Sequence, residues 1–302
     1  AGPVLGEARV VKSSREIDLM TRAGAMLDDA FAEFVLEPFS GRTELDISNS
    51  IVKMLEARGM EVESPPIVGA GENGASPHHH ASERVVRKGD VVVVDFWGSL
   101  NGYYSDCTRT VFVGEEPAPE SEERRVYNLV RQAQEEAAAA ARPGMTCEAL
   151  DAVARDYLTQ AGYGEYFIHR LGHGIGLDGH EPPYIVSGNQ AVLQPGMAFT
   201  IEPGIYVPGL GGFRHSDTVA VTETGIEWLT ESTGILPEEF RPIVFSIKAP
   251  QSFHTFLVDG RVAGTWRYED GEIRLQPLRE LTSAERRDVE EEAHRLGAFH
   301  AE

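Results

Sequence analysis

Asp95 and Asp106 stand eleven residues apart, each among β-forming apolar residues. Asp95 closes the run Asp90-Val91-Val92-Val93-Val94-Asp95-Phe96, and Asp106 lies inside the next such run. Two strands joined by a tight turn would carry both carboxylates into one protected layer. A carboxylate there is costly unless it is paired or bound to a cation. The plainer reading is one aspartate at a strand-end turn and one at the surface. A second cluster is Leu171-Gly172-His173-Gly174-Ile175-Gly176, followed seven residues on from His173 by His180-Glu181-Pro182-Pro183. Glycines on both sides of His173 let the backbone approach closely and the imidazole project into a cavity. The third is Phe199-Thr200-Ile201-Glu202-Pro203-Gly204, a carboxylate at the end of an apolar strand, either salt-bridged or a ligand. Together Asp95, Asp106, His173 and Glu202 form a hard-oxygen and imidazole set suited to manganese, cobalt, iron or zinc. One or two such ions would lower the pKa of a bound water and polarise a carbonyl.

These residues need elements to position them. Apolar residues from Ile17 to Phe34 recur at helical spacing, behind Ser13 with Glu16 three residues later, a capped helix start. Thr43 with Asp46 opens a second helix, ending near Gly59. The glycine-rich stretch 69–83 reads as a polar loop at the end of a short strand. Strands at 90–96 and 102–113 meet at Asn101-Gly102, a strong hairpin signal. Two helices, about 123–141 and 146–162, are divided by Arg142-Pro143-Gly144, and strands follow at 195–203 and 213–222. Helix, helix, hairpin, then helix, helix, strands is the order of two similar α+β halves. After Gly234 the composition changes: short strands over 252–276, then one charged amphipathic helix over 282–300. Cys107 alternates away from Asp106 and belongs to the core. Trp97 reads first as packing, second as an aromatic wall of a pocket.

With 302 residues the chain can bury a sizeable core, and its net charge is -21. Such a surface repels phosphates and anionic lipid, so neither nucleic acid nor membrane is expected as a partner. Cys107 and Cys147 make no disulfide framework or thiolate cluster, no apolar run reaches membrane-spanning length, and the first residues lack a signal-peptide core. A cytoplasmic protein is the expectation.

VVDFWGSLNGYYSDCTRT, FIHRLGHGIGLDGHEPP and GMAFTIEPGIYVPGLGG closely resemble the pita-bread metallopeptidases, in their order and spacing, from about Val10 to about Thr230. Within that family the sequence is most similar to Xaa-Pro dipeptidases (prolidases) and aminopeptidase P. The resemblance implies an α+β pita-bread (creatinase/aminopeptidase) fold with a pseudo-twofold repeat over residues 1–235. It implies metal ligation by Asp95, Asp106, His173 and Glu202, with Glu202 also handling the proton of the attacking water. It gives His78 a place near the scissile bond, His180 a part in stabilising the tetrahedral intermediate, and His169, Tyr206 and Arg214 pocket positions. The substrate would be a small proline-containing peptide, and a homodimer the candidate assembly. The relatives carry an N-terminal domain, so this sequence resembles their catalytic half alone.

Two features depart from the pattern. Where the family has Arg-x-Glu-Asp, with a glutamate bridging two ions, this chain reads Arg214-His215-Ser216-Asp217. Three carboxylates then face the metal instead of four. The expectations are weaker binding, a single ion, or a site rewired through His215 or Asp217. A creatinase-like or lyase reaction, or a peptide-binding module without catalysis, stays open as the alternative. The second departure is an appendage, 236–302, of short strands and a helix. Residues 253–299 resemble the C-terminal segment of winged-helix proteins related to a DNA glycosylase. That segment has no helix-turn-helix of its own and is acidic on balance, so no DNA binding is inferred from it.

Overall fold

The structure, a computed structural model, describes residues 9–230 and, beyond them, 254–258, 261–269, 272–277, 281–282, 286–287, 289–290 and 293. The chain divides into two compact units, Ala1–Thr230 and Glu231–Glu302.

In the first unit, α1 (Ser14–Phe34) and α2 (Glu44–Ala57) both begin with a capping box, Ser13 with Glu16 and Thr43 with Asp46. Each box satisfies orphan backbone donors reciprocally at the helix start. Between and behind them runs an antiparallel sheet in the order β1 (Ile67–Ala70), β2 (Val91–Leu100), β3 (Tyr103–Phe112). The β2–β3 hairpin turns on Asn101 (φ 51°) and Gly102 (φ 81°), the positive angles that a two-residue turn requires. Leu27 and Phe34 of α1 and Ile51 and Leu55 of α2 pack on Val92, Val94, Phe96 and Cys107 in one apolar cluster. Full burial of each such aliphatic or aromatic side chain stabilises the fold by about 1.5–3 kcal/mol.

The second half repeats the plan. Helices α3 (Glu122–Ala140) and α4 (Cys147–Gln160) cover a five-stranded sheet in the order β10-β9-β6-β4-β5. Its strands are β4 (Gly172–Gly174), β5 (Glu181–Ile185), β6 (Ala198–Ile201), β9 (Asp217–Val221) and β10 (Ile226–Trp228). Val130 and Ala137 of α3 and Leu150 and Leu158 of α4 share a core with Phe199, Ile201 and Val219. The expected strand 195–203 forms as the shorter β6, and the expected strand 213–222 is divided between two sheets. Pro203 ends β6, and the chain enters a separate hairpin of β7 (Gly204–Val207) and β8 (Gly211–Arg214) before β9 returns to the main sheet. Proline has no N–H for a ladder, so β6, paired on both sides by β9 and β4, cannot run through it, whereas the edge strand β5 tolerates Pro182 and Pro183.

In the second unit, β11 (His254–Val258), β12 (Arg261–Glu269) and β13 (Glu272–Pro277) form an antiparallel sheet in that order. Most of the expected helix 282–300 lies outside the described residues; Arg286 donates its backbone N–H to the Thr282 carbonyl at 2.9 Å.

Candidate active site

The two half-sheets of the first unit meet edge to edge. Thr108 in β3 pairs with Ser216, just ahead of β9, through reciprocal backbone hydrogen bonds of 3.1 and 3.2 Å. Along this seam lies a cavity of about 700 Å³, with Asp95, Asp106, His173, His180, Glu202 and Arg214 in its wall. In the β2–β3 register Asp95 faces Thr108 and Trp97 faces Asp106. Alternation therefore puts Asp95, Trp97, Asp106 and Thr108 on the cavity side. Cys107, wholly buried, faces the opposite core.

Both oxygens of Asp95 are engaged. Thr108 Oγ1 donates to Oδ1 at 2.9 Å, and Arg214 Nη2 donates to Oδ2 at 2.6 Å. Arg214 also donates from Nη1 to the Tyr206 hydroxyl (2.9 Å) and the Pro77 carbonyl (3.1 Å), and from Nε to Thr108 Oγ1 (3.1 Å). Tyr206 completes a relay by its contact with His169 Nε2 at 2.9 Å. The His169 Nδ1 lies 2.7 Å from the Arg170 carbonyl, which can only accept, so Nδ1 carries the proton and Tyr206 donates to Nε2. Burial, helped by Arg214, lowers the His169 pKa to about 3, which keeps the ring neutral.

Asp106 receives the Ser216 hydroxyl at 3.1 Å and has no ion-pair partner among the described residues. Burial, reinforced by the charges of Asp95 and Glu202, pushes its carboxyl well above the ordinary value. Glu202 is pushed up to about 7, chiefly by burial, with Arg214 opposing and Asp95 adding to the rise.

His173 is set by its glycines. A Cβ at Gly172 would sit 1.8 Å from the Thr200 carbonyl, and one at Gly174 would sit 2.3 Å from that of Pro182. No side chain fits on either side of the histidine. Its Nδ1 donates to the Gly174 carbonyl at 3.0 Å, which leaves the Nε2 lone pair free, 3.7 Å from Glu202 Oε1. Burial and the neighbouring His180 lower its pKa to about 3. The His180 ring stacks on it at 3.8 Å between centroids.

The donor chemistry suits one divalent cation. A neutral imidazole with its lone pair free and two carboxylates driven toward their protonated forms are groups that a cation would stabilise. As the side chains stand, no three His, Cys, Asp or Glu groups among the described residues close around a common point. Asp95 is turned to Arg214 and Thr108, and Asp106 to Ser216.

Residues 18–223 match the family model described as metallopeptidase family M24. The chain belongs to the M24 metallopeptidase family. It is 50% identical over 226 residues to a probable dipeptidase PepE of Mycobacterium bovis, covering 74% of this chain and 60% of that protein. It superposes on a prolidase from Thermococcus sibiricus with a TM-score of 0.72 at 44% identity, over 76% of this chain and 62% of the other. An X-Pro aminopeptidase from Thermotoga maritima gives a TM-score of 0.73 at 39% identity, over 76% and 65%. The fold is the pita-bread fold expected from the motifs. The chain spans about 60% of the length of the curated relatives it matches. Residues 230–299 match a second model, DNA glycosylase AlkZ-like, over the segment whose resemblance was read from its sequence.

Within this M24 site, His78, His169 and Tyr206 fall where the motifs point: His78 and His169 line the cavity, and Tyr206 links His169 to Arg214. Two expectations need correction. His215 does not join the cavity; it is buried with its ring 4.9 Å from that of Tyr127. Asp217 also points elsewhere, receiving Arg109 (2.7 Å), Gln134 (3.0 Å) and Thr230 (2.8 Å). Both follow from alternation about Ser216, whose hydroxyl faces Asp106. His79 lies 2.8 Å from the wholly buried Glu44 carboxylate.

Trp97 lines the cavity, the reading placed second. Sequence reasoning missed Arg170, Lys12 and Glu44. Arg170 was visible in the histidine motif beside His169, and only its place in the cavity distinguishes it. Glu44 gathers the loop 70–82 that carries His78, accepting from Ala70 N, Asn73, Ser82 and His79. Lys12, with its side chain 2% exposed, pairs with Glu181 at 2.6 Å beside His180.

Proposed function

We propose that this M24 chain is a metal-dependent peptidase of the Xaa-Pro type, splitting proline-containing dipeptides or releasing N-terminal residues. The observation that carries the reading is the seam itself. Two aspartates, a neutral histidine with a free Nε2 and a glutamate pushed up to about 7 share one cavity wall in a chain of this family. Asp106, His173 and Glu202 would hold a single ion, with Asp95 beside them anchored by Arg214. A divalent metal bound there lowers the pKa of water and polarises a carbonyl.

The chain's own groups do the rest. Glu202, poised near neutrality by burial, takes the proton of the attacking water and returns it to the leaving nitrogen. His180, stacked on His173, stands ready to stabilise charge on the tetrahedral oxygen. His78, on the loop that Glu44 holds, faces the peptide. The same reading places the protein in the cytoplasm, supported by its two free, buried cysteines.

Manganese, cobalt or zinc added to the chelator-treated protein should restore cleavage of Xaa-Pro dipeptides, and Glu202→Gln should abolish it. Absence of bound ion by elemental analysis, with no activity under any of the three metals, ends this reading. The capture of Asp95 by Arg214 favours a second one, a metal-independent reaction in the same cavity. That reaction would depend on His180, persist in chelator and tolerate Asp95→Asn.

A further inference from the structure

Beyond its stack on His173, His180 owes its place to the backbone that carries it. Residues 176–180 make a turn between β4 and β5, with glycines at 176 and 179. A glycine-bearing turn has little stiffness of its own. The chemistry asks for one position, since a group that stabilises a developing oxyanion works only where that charge appears. The turn therefore needs holding from outside. One side is held by a residue of the cavity wall, Tyr104, which donates its backbone N–H to the Gly176 carbonyl at 2.8 Å.

The other side is held by a cation from the start of the chain. Arg9 Nη2 lies 2.7 Å from Asp178 Oδ2 and 2.7 Å from Glu181 Oε2. One nitrogen thus bridges the residue two before His180 and the residue just after it. Arg9 keeps this position although its Nε is buried without an acceptor, a cost that two charge-assisted contacts offset. Lys12 takes the other Glu181 oxygen at 2.6 Å, and a Cβ at Gly176 would sit 2.8 Å from both that oxygen and Lys12 Cε. The turn is pressed directly on the pair. The segment supplying both cations is itself anchored, with Val11 paired to Met197 and Lys12 N–H donating to the Gly196 carbonyl at 2.8 Å. The two cations divide the work. Lys12 is buried and fixes the start of β5. Arg9 is 33% exposed and Asp178 63%, a setting in which an ion pair adds little to stability. Its bridge instead ties the two ends of the turn together.

We propose that Arg9 is a positioning residue for the reaction: by bridging Asp178 and Glu181 it fixes the turn that presents His180 to the tetrahedral intermediate. The proposal rests on the peptidase reading and adds to it a residue 169 positions before Asp178. His180 meets the substrate oxygen as charge develops on it. A turn that wanders therefore costs turnover and leaves ground-state binding alone.

The test is Arg9→Met in the full, manganese-loaded chain, with glycyl-L-proline as substrate. We expect kcat to fall by roughly 10- to 100-fold, the cost of misplacing a reacting group by about 1 Å, with KM within about twofold of the parent. Arg9→Lys should recover part of the loss, because both contacts use a single nitrogen. The urea unfolding midpoint of Arg9→Met should stay close to that of the parent, since Lys12 still holds Glu181. In a His180→Asn background Arg9→Met should cost nothing further, because it acts only through that ring. Proton–carbon correlation spectra of the metal-free chain read the position without turnover, the His180 ring signal being the one that His180→Asn removes. Stacking on His173 displaces this signal from free-histidine values, and Arg9→Met should move it back toward them. A signal that moves in a chain cleaving no peptide upholds the positioning while the peptidase reading falls. A His180 signal unmoved by Arg9→Met, a loss carried by KM, or a further loss in the His180→Asn background overturns the proposal. Each of these leaves the peptidase reading standing wherever the parent cleaves the dipeptide.

Discussion

Ser216→Glu tests the charge balance of the site directly. Ser216 is wholly buried, paired through its backbone to Thr108, and its hydroxyl lies 3.1 Å from Asp106 Oδ1. A glutamate there puts a further carboxylate beside Asp106, in a wall that already holds Asp95 and Glu202. Two like charges at that separation repel by about 5 kcal/mol at an effective dielectric near 20, enough to force proton uptake in the metal-free protein. The metal-free variant should therefore unfold at lower urea concentration than its parent at neutral pH. With an ion present the sign reverses, because the added carboxylate is attracted to the cation. We expect manganese affinity to rise at least tenfold, so that at a fixed, saturating concentration the ion stabilises the variant by about 1.4 kcal/mol more than the parent. Calorimetric titration gives affinity and stoichiometry, with about one ion expected for the parent, and urea unfolding with and without manganese gives the linked stability. Ser216→Gln, similar in shape but neutral, should show no gain. A folded Ser216→Glu protein that binds manganese no tighter than its parent, or a parent that binds two ions tightly, refutes the charge argument.

Other outcomes follow from the groups around the cavity. Lys12→Met removes a buried partner of Glu181, while Arg9 keeps its 2.7 Å contact with the other oxygen. The expected loss is therefore about 2–3 kcal/mol, below the 3–5 of a pair broken outright; a loss under about 1 kcal/mol in urea unfolding would show that the pair is not holding the start of β5, next to His180. Burial alone would raise the Glu44 pKa, but hydrogen bonds from Ala70, Ser82, His79 and Asn73 bring it below its ordinary 4.5. Its contribution to stability is then complete above the ordinary carboxylate value and is lost as pH falls through the lower folded value. Between about pH 5 and about pH 3 the parent should lose stability more steeply than Glu44→Gln; parallel urea midpoints over that range would exclude this role. Tyr206→Phe removes the link between Arg214 and His169 and should cost roughly 1–2 kcal/mol of stability, since buried donors lose their partner. An unchanged unfolding midpoint would show that the relay closes through water.

What could be read in the sequence was what short-range rules determine. Strand alternation alone puts Asp106 and Cys107 on opposite faces, and the Asn101-Gly102 turn fixes which residues of β2 and β3 meet. The two capping boxes are four-residue patterns and formed as read. The glycines beside His173 announced a close approach, and the Thr200 and Pro182 carbonyls are what approaches. The rest depends on contacts between distant segments. Arg214 reaches Asp95 across 119 positions and Lys12 reaches Glu181 across 169, and no local period encodes either pair. The strand read as 213–222 failed for a different reason. That apolar run serves two sheets, and the change of sheet between Arg214 and Asp217 is set by the seam, not by the propensity of the residues.

That seam also explains why the substitution at 216 need not disturb the fold. Ser216 contributes its backbone to the Thr108 bridge, and any residue can supply those two hydrogen bonds. Its side chain alone speaks to the cavity. The neighbours that stabilise the strand, His215 on Tyr127 and Asp217 on Arg109, face away from the chemistry. Alternation thus separates the two demands on the side chains of this segment: 215 and 217 pack and pair away from the cavity, and 214 and 216 meet Asp95 and Asp106. Changing 216 should therefore alter which ions and substrates the cavity accepts far more than whether the chain folds. Changing Asp217→Asn should do the reverse, removing the charge that faces the buried Arg109 at 2.7 Å while Asp28 stays 3.9 Å away. Stability should fall by about 2–3 kcal/mol, below the loss of a pair broken outright, while manganese stoichiometry in the folded fraction stays the same. A variant that stays stable but loses its ion would break this division of labour.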